Sequence, residues 1–162
     1  MRSSPDFMRA MVLGEEPDVS ALLSAAFKGD DEVQLVKDLR RAGDMMGEQV
    51  MTVEDKVIAY AGLCRMVAPA NWLCLAPVAV DPEWQGRRIG RRMVGLIAEW
   101  ARISGTYVVV LGQPLFYNSA GFSTTRASQL TSPYPIDHTA LAGPGGDMPK
   151  QTLVYAKAFD GL

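Results

Sequence analysis

The apolar and polar positions of the chain follow two rhythms, and the switch points between them outline its elements. "FMRAMVL" (7–13) reads as a first strand. "EEPDVSALLSAAF" follows, with acids in its first turn and Val19, Leu22, Leu23, Ala26 and Phe27 at helical spacing. "DDEVQLVKDLRRAG" repeats that design: Asp30 and Asp31 stand where caps stand, Val33, Leu35, Val36 and Leu39 form the apolar stripe, and Gly43 ends the last turn. "EQVMTVE" and "KVIAYAGLCRMV" then predict two strands turning at Glu54-Asp55-Lys56, and "WLCLAPVAV" a third that stops at Asp81-Pro82. Proline cannot donate to a ladder, so Pro77 requires a bulge or an unpaired side in the middle of that third strand.

A long helix follows from about Arg88 to Ile103, with Ile89, Met93, Leu96, Ile97 and Trp100 expected to face inward. "TYVVVL" is a continuous β-branched run, as in a strand buried on both faces. "PLFYNSAGF" predicts a short helix with Pro114 at its start and Gly121 past its end. The stretch 123–148 is long, weakly periodic and rich in Gly, Pro, Ser and Thr, which marks a functional or mobile loop. "QTLVYAKAF" reads as a last strand. The order is β-α-α-β-β-β-α-β-α-β, without internal repeat or linker, so the expectation is one mixed α/β domain over residues 1–162.

Composition adds exclusions. Of 162 residues, 48% are apolar and 21% charged, with a net charge of −2, which argues against a general nucleic-acid or membrane-surface binder. Trp72, Trp84 and Trp100 show no stacking arrangement with basic residues that would suggest nucleic acid. Two cysteines make neither a disulfide framework nor a metal cluster; a hairpin around "APAN" would pair Cys64 roughly with Leu75 and put the two thiols on opposite faces. No apolar run approaches the roughly 20 residues that span a bilayer, and the N-terminus lacks a signal-peptide core. The expectation is a cytoplasmic protein with reduced, packed thiols and no metal.

Against that acidic background one stretch stands out. "WQGRRIGRRM" (84–93) puts Arg87, Arg88, Arg91 and Arg92 around two glycines where a helix begins. A helix N-terminus already carries partial positive charge, so these cations either splay into water or surround an anion. A strand, a Gly-containing turn and a helix N-terminus together form an anion site, and arginines there suit a phosphate-rich ligand. Neither the Walker pattern nor GxGxxG is present.

"VAVDPEWQGRRIGRRMV" resembles the acyl-CoA-binding signature of the GNAT superfamily of N-acyltransferases, Q/R-x-x-G-x-G/A, with Gln85, Ile89 and Gly90 matching and Arg88 in place of the first glycine. "GQPLFYNSAGF" (112–122) resembles a second GNAT element, a tyrosine followed by Gly-Phe, here Tyr117 with Gly121-Phe122. "DDEVQLVKDLRR" and the closing "YAKAF" resemble one bacterial branch of acetyltransferases.

The resemblance implies a GNAT-type, mostly antiparallel sheet with a central splayed parallel pair and flanking helices. It implies acetyl-CoA as acyl donor, its pyrophosphate held by backbone N–H groups of Gly86, Arg87, Arg88, Ile89, Gly90 and Arg91, with Gln85 opening the turn. The pantetheine arm would pair with Val78, Ala79 and Val80, and Pro114 and Phe116 would wall its channel. Tyr117 would protonate the departing thiolate; read without the resemblance, it is a packing tyrosine with its hydroxyl at the surface. No base is assigned: the third strand holds no acid or histidine, and Asp31, Glu32 and His138 are the remaining candidates. The acceptor implied is a small-molecule or peptide amine, homodimerisation is common in the superfamily, and a CoA-holding module without turnover is the alternative.

Overall fold

The computed structural model describes residues 4–161. Its elements are β1 (Arg9–Ala10), α1 (Glu16–Phe27), α2 (Asp31–Arg41), β2 (Met45–Val53), β3 (Lys56–Arg65), β4 (Leu73–Val80), α3 (Ile89–Ser104), β5 (Val108–Leu111), α4 (Pro114–Ser119), α5 (Thr124–Ala127) and β6 (Thr139–Ala142). The six strands form one mixed sheet in the order β1-β2-β3-β4-β5-β6, antiparallel everywhere except between β4 and β5.

The sheet has two apolar faces. On one, Ile89, Met93, Val94, Ile97, Ala98 and Ala101 of α3 pack on Ile58, Leu63, Leu75, Val108 and Val110. On the other, Val19, Leu22 and Leu23 of α1 and Val36 of α2 cover Val50, Val57 and Tyr60, while Leu35 and Leu39 meet Cys64, Cys74, Tyr155 and Phe159. Residues 57–64 of β3 and 108–110 of β5 are buried because both faces are covered there, while Lys56, Arg65 and Leu111 at the strand ends are exposed.

Pro77 acts as its chemistry requires. The register between β3 and β4 slips between Ala61 and Leu63, and the Ala76 carbonyl crowds the space over Gly62, where a Cβ would come within 2.8 Å of it. Only Leu73↔Val108 and Cys74↔Val109 pair β4 with β5, and beyond them the strands separate.

Several expectations need correction. The first strand is confined to Arg9–Ala10, with Phe7 and Leu13 exposed on either side. "QTLVYAKAF" is not a strand: Thr152 and Val154 each bridge a different loop, and Lys157–Gly161 coils into a 3-10 turn. Thr139–Ala142, inside the long irregular stretch, takes the sheet edge beside β5 instead. Leu96 and Trp100 face outward at 47% and 44% exposure, since the buried stripe of α3 runs through Val94, Ala98 and Ala101. Cys64 pairs directly with Cys74, not Leu75, because the slip at Gly62 shifts the register; the two free thiols are buried side by side. Neither Asp30 nor Asp31 caps α2; the Asp30 carboxylate accepts instead from the Ser24 hydroxyl at 2.9 Å.

One arginine holds the irregular stretch 123–148 in shape. Arg126 donates to the carbonyls of Gly143 (3.2 Å), Pro144 (2.8 Å) and Asp147 (2.9 Å) and to the Asp147 carboxylate (3.0 Å), which also accepts from the Tyr107 hydroxyl. Replacing Arg126 by Ala strands the carbonyls of buried Gly143 and half-buried Pro144, while that of exposed Asp147 can turn to water, so the variant should lose about 2 kcal/mol of stability. Thermal unfolding would read that as a Tm lowered by roughly 4–8 °C; an unchanged Tm would show that the stretch is held elsewhere.

Candidate active site at the strand split

The split leaves backbone groups without a strand partner. Asp81 N–H donates to the Ile58 carbonyl at 2.8 Å, so Ala79 and Tyr60 form the adjoining hydrogen-bonded pair of the β3–β4 ladder. Val78 and Val80 therefore turn their amide groups the other way, toward the space that β5 has left. Gln85 reaches back and donates from its side-chain amide to the Val80 carbonyl at 3.0 Å. Among the described residues, the amides of Val78 and the N–H of Val80 have no such partner on that side.

A groove of about 500 Å³ opens beside them, lined by Val78, Val80, Trp84, Gln85, Gly86, Arg88, Ile89, Gly90, Arg91, Phe116 and Tyr117. Most residues singled out in the sequence thus converge here. Three do not line it: the Ala79 side chain is buried on the opposite face beneath α1, the Arg87 guanidinium lies over the Trp84 ring at 4.5 Å, and Pro114 opens α4, its carbonyl accepting from Asn118. The Arg87–Trp84 stack corrects the reading that no tryptophan meets a basic residue. Trp84 itself was missed as a lining residue, although its place just before Gln85 was the available signal.

The turn between β4 and α3 is braced from below. Asp81 accepts from Glu83 N–H at 2.9 Å and pairs with Lys56 at 3.3 Å. Pro82–Trp84 forms one 3-10 turn, Gly86 adopts a φ of 80°, and Arg88 adopts a φ of 62° immediately before α3. Arg88 therefore occupies a left-handed position that favours glycine, which is the position where the GNAT signature has one. Its backbone still presents the free N–H groups of the helix start to the groove.

The arginines are not neutralised by the protein. Among the described residues, Arg87, Arg88, Arg91 and Arg92 take part in none of the ion pairs. Arg91 donates only to the Ser119 carbonyl, at 3.1 and 3.3 Å. Arg88, Arg91 and Arg92 also line a second hollow of about 360 Å³ with Gly95, Ser119 and Ala120. Together these groups surround the helix start with uncompensated positive charge.

At the deep end of the groove Tyr117 rises from α4. Its ring lies against Gly112, where any Cβ would come within 2.5 Å, and stands edge-on to Phe116 and Phe122. Burial, and then the neighbouring Cys74 thiol, push its phenol up to about 12. A phenol in that state keeps its proton at neutral pH and has it to give. The base candidates lie apart: Asp31 and His138 are exposed, and Glu32 sits in the first turn of α2. Among the described residues no three His, Cys, Asp or Glu side chains converge as metal ligands, and no helix is long and apolar enough to cross a membrane.

Residues 47–124 match the family model of the acetyltransferase (GNAT) domain. The N-acetyltransferase YhbS of Escherichia coli K12 is 31% identical over 135 residues, which cover 78% of this chain and 79% of that protein. Superposition on YhbS solved with CoA gives a TM-score of 0.80 at 24% identity, covering 95% of this chain and 91% of the other. A GNAT acetyltransferase from Brucella melitensis solved with acetyl-CoA gives 0.79 at 23% identity, covering 98% and 100%.

Two variants isolate the backbone cost at Arg88. Arg88→Gly and Arg88→Ala both remove the guanidinium, but only alanine keeps a Cβ in the left-handed conformation. Without ligand, the Gly variant should be the more stable by about 1 kcal/mol in denaturant unfolding. An Ala variant as stable as the Gly variant would show that the turn relaxes freely.

Proposed function

Since the chain belongs to the GNAT family of acetyltransferases, we propose that it moves an acetyl group from acetyl-CoA directly to a primary amine, with Tyr117 as general acid. The observation that carries this reading is the coincidence of three features along one groove. Unpaired amides of Val78 and Val80 line its side, the arginine-ringed start of α3 stands at one end, and a buried, protonated phenol stands at the other.

A pantetheine arm carries amide groups of its own, and lying along β4 it would satisfy the backbone that β5 leaves bare. The pyrophosphate would then meet the N–H groups from Gly86 to Arg91, with Arg88, Arg91 and Arg92 as counter-charges for the phosphates. The thioester would reach the region between Tyr117 and the bulge at Ala76 and Pro77. Attack by the amine nitrogen forms the C–N bond and breaks the C–S bond; the Tyr117 proton passes to the departing thiolate. The proton lost by nitrogen leaves to water, which also restores Tyr117. The buried, unbridged thiols of Cys64 and Cys74 support a reducing compartment, the cytoplasm.

The reading is tested by melting with and without acetyl-CoA. At a hundredfold excess over Kd, binding to the folded state alone adds about 2.7 kcal/mol and should raise Tm by roughly 5–10 °C. No shift at saturation would sink the donor assignment. Tyr117→Phe should keep the shift but slow amine-dependent thiol release by about 10²-fold or more; a full rate would remove Tyr117 from the chemistry and favour a water as the acid.

The phenol also sets a pH expectation. Because its ionisation is displaced upward, Tyr117 remains a donor until pH approaches about 12. The turnover rate should therefore show no loss between pH 8 and 10, where an unperturbed phenol would begin to ionise. A Tyr117-dependent fall in that window would contradict a buried acid.

A further inference from the structure

A side chamber opens off the groove along α3. Arg88, Arg91, Arg92 and Gly95 recur at steps of three and four residues, so they share one face of the helix and its cap. With Ser119 and Ala120 at the end of α4 they enclose the hollow of about 360 Å³, and Arg88 and Arg91 line both it and the groove. The chamber runs past the helix start. Gly95 stands six residues beyond Ile89, which is about 9 Å along the helix axis.

Every charged residue in the lining is a cation. Three arginines and no carboxylate enclose the hollow, in a chain with 18 acidic residues against 16 lysines and arginines. Among the described residues, the Arg88 and Arg92 side chains make neither a hydrogen bond nor an ion pair. Arg91 is fixed differently. Its Nε and Nη2 donate to the Ser119 carbonyl at 3.3 and 3.1 Å, which ties α4 to α3 and covers an oxygen that would otherwise repel an anion. Gly95 adds no side chain, and a Cβ there would stand 3.7 Å from the Ala120 carbonyl, taking up space between the two helices.

A pyrophosphate on the N–H groups from Gly86 to Arg91 lies at the helix start and leaves this chamber empty. Three cations beyond it suit a second, separate anionic group on the same ligand. CoA carries one: the 3′-phosphate of its ribose, a monoester with a charge of about −1.5 to −2 at pH 7. The adenine finds no stacking partner here, since no aromatic ring lines the hollow and Trp84 is already stacked on Arg87.

Resting on the acetyl-CoA reading above, we propose that this chamber takes the ribose 3′-phosphate, with Arg88 and Arg92 as its ligands and Arg91 as the positioning residue that holds α4 against α3. The consequence is selection among donors. A free CoA thioester brings the 3′-phosphate. A dephospho-CoA thioester, or an acyl group on a protein-bound phosphopantetheine arm, lacks it and leaves the arginines repelling one another. The protein therefore prefers free CoA thioesters. The preference is made by charge rather than by shape, so salt weakens it.

Calorimetric titration with CoA and with dephospho-CoA, each at low and at high salt, tests this. At low salt the parent should bind CoA about tenfold or more tighter than dephospho-CoA, and the gap should narrow at high salt. Arg92→Gln removes one exposed cation and leaves the backbone of the turn as it is. It should weaken CoA by about tenfold and leave dephospho-CoA within about twofold of the parent. Its unliganded Tm should equal the parent's or exceed it, since one repelling charge has gone. Equal affinities of the parent for the two ligands, a gap that salt leaves unchanged, or a loss in Arg92→Gln that is the same for both ligands would overturn the proposal. A parent that binds neither ligand would instead sink the donor assignment, so the two failures are distinguishable.

Discussion

The departure of β5 from β4 after Cys74 is the constraint on which the rest of the molecule turns. A central strand is the worst place to abandon a ladder, because its amides lie deep and away from water. Here Val78 and Val80 are left facing a gap, and every nearby element is arranged around it. Pro77 supplies the irregularity, the bulge at Gly62 absorbs it, and Gln85 folds back to satisfy the one carbonyl within its reach. A sheet built for stability alone would pair these groups. The fold instead leaves them facing the groove.

The start of α3 follows the same logic in charge. Four arginines without ion-pair partners among the described residues, at the positive end of a 16-residue helix, oppose one another and the helix dipole. Arg88 adds a left-handed backbone to that cost. Arg91 and Arg87 are steadied by a carbonyl and an indole ring, neither of which cancels charge. A bound anion would offset the charge repulsion but not the backbone cost at Arg88. Electrostatic and conformational cost thus fall on the few residues between Gln85 and Arg92, while the acidic remainder of the chain keeps the field local.

How much of this the sequence discloses depends on whether the signal is local. The helices α1, α2 and α3 were legible because amphipathic spacing is a property of one element, and the arginine cluster at the start of α3 was legible because its residues are contiguous with a Gly-containing turn. The misreadings are all relational. Whether Thr139–Ala142 or "QTLVYAKAF" takes the sheet edge depends on which reaches β5, and no local pattern in either segment decides it. The Cys64–Cys74 pairing turns on a single-residue slip opposite Pro77, which the proline announced without stating its register. Leu96 and Trp100 are apolar but face outward, since the contact stripe of α3 is completed by small residues, Ala98 and Ala101, that a search for large side chains passes over. Arg126 likewise draws its meaning from the carbonyls of Gly143 and Pro144, which no pattern around residue 126 announces.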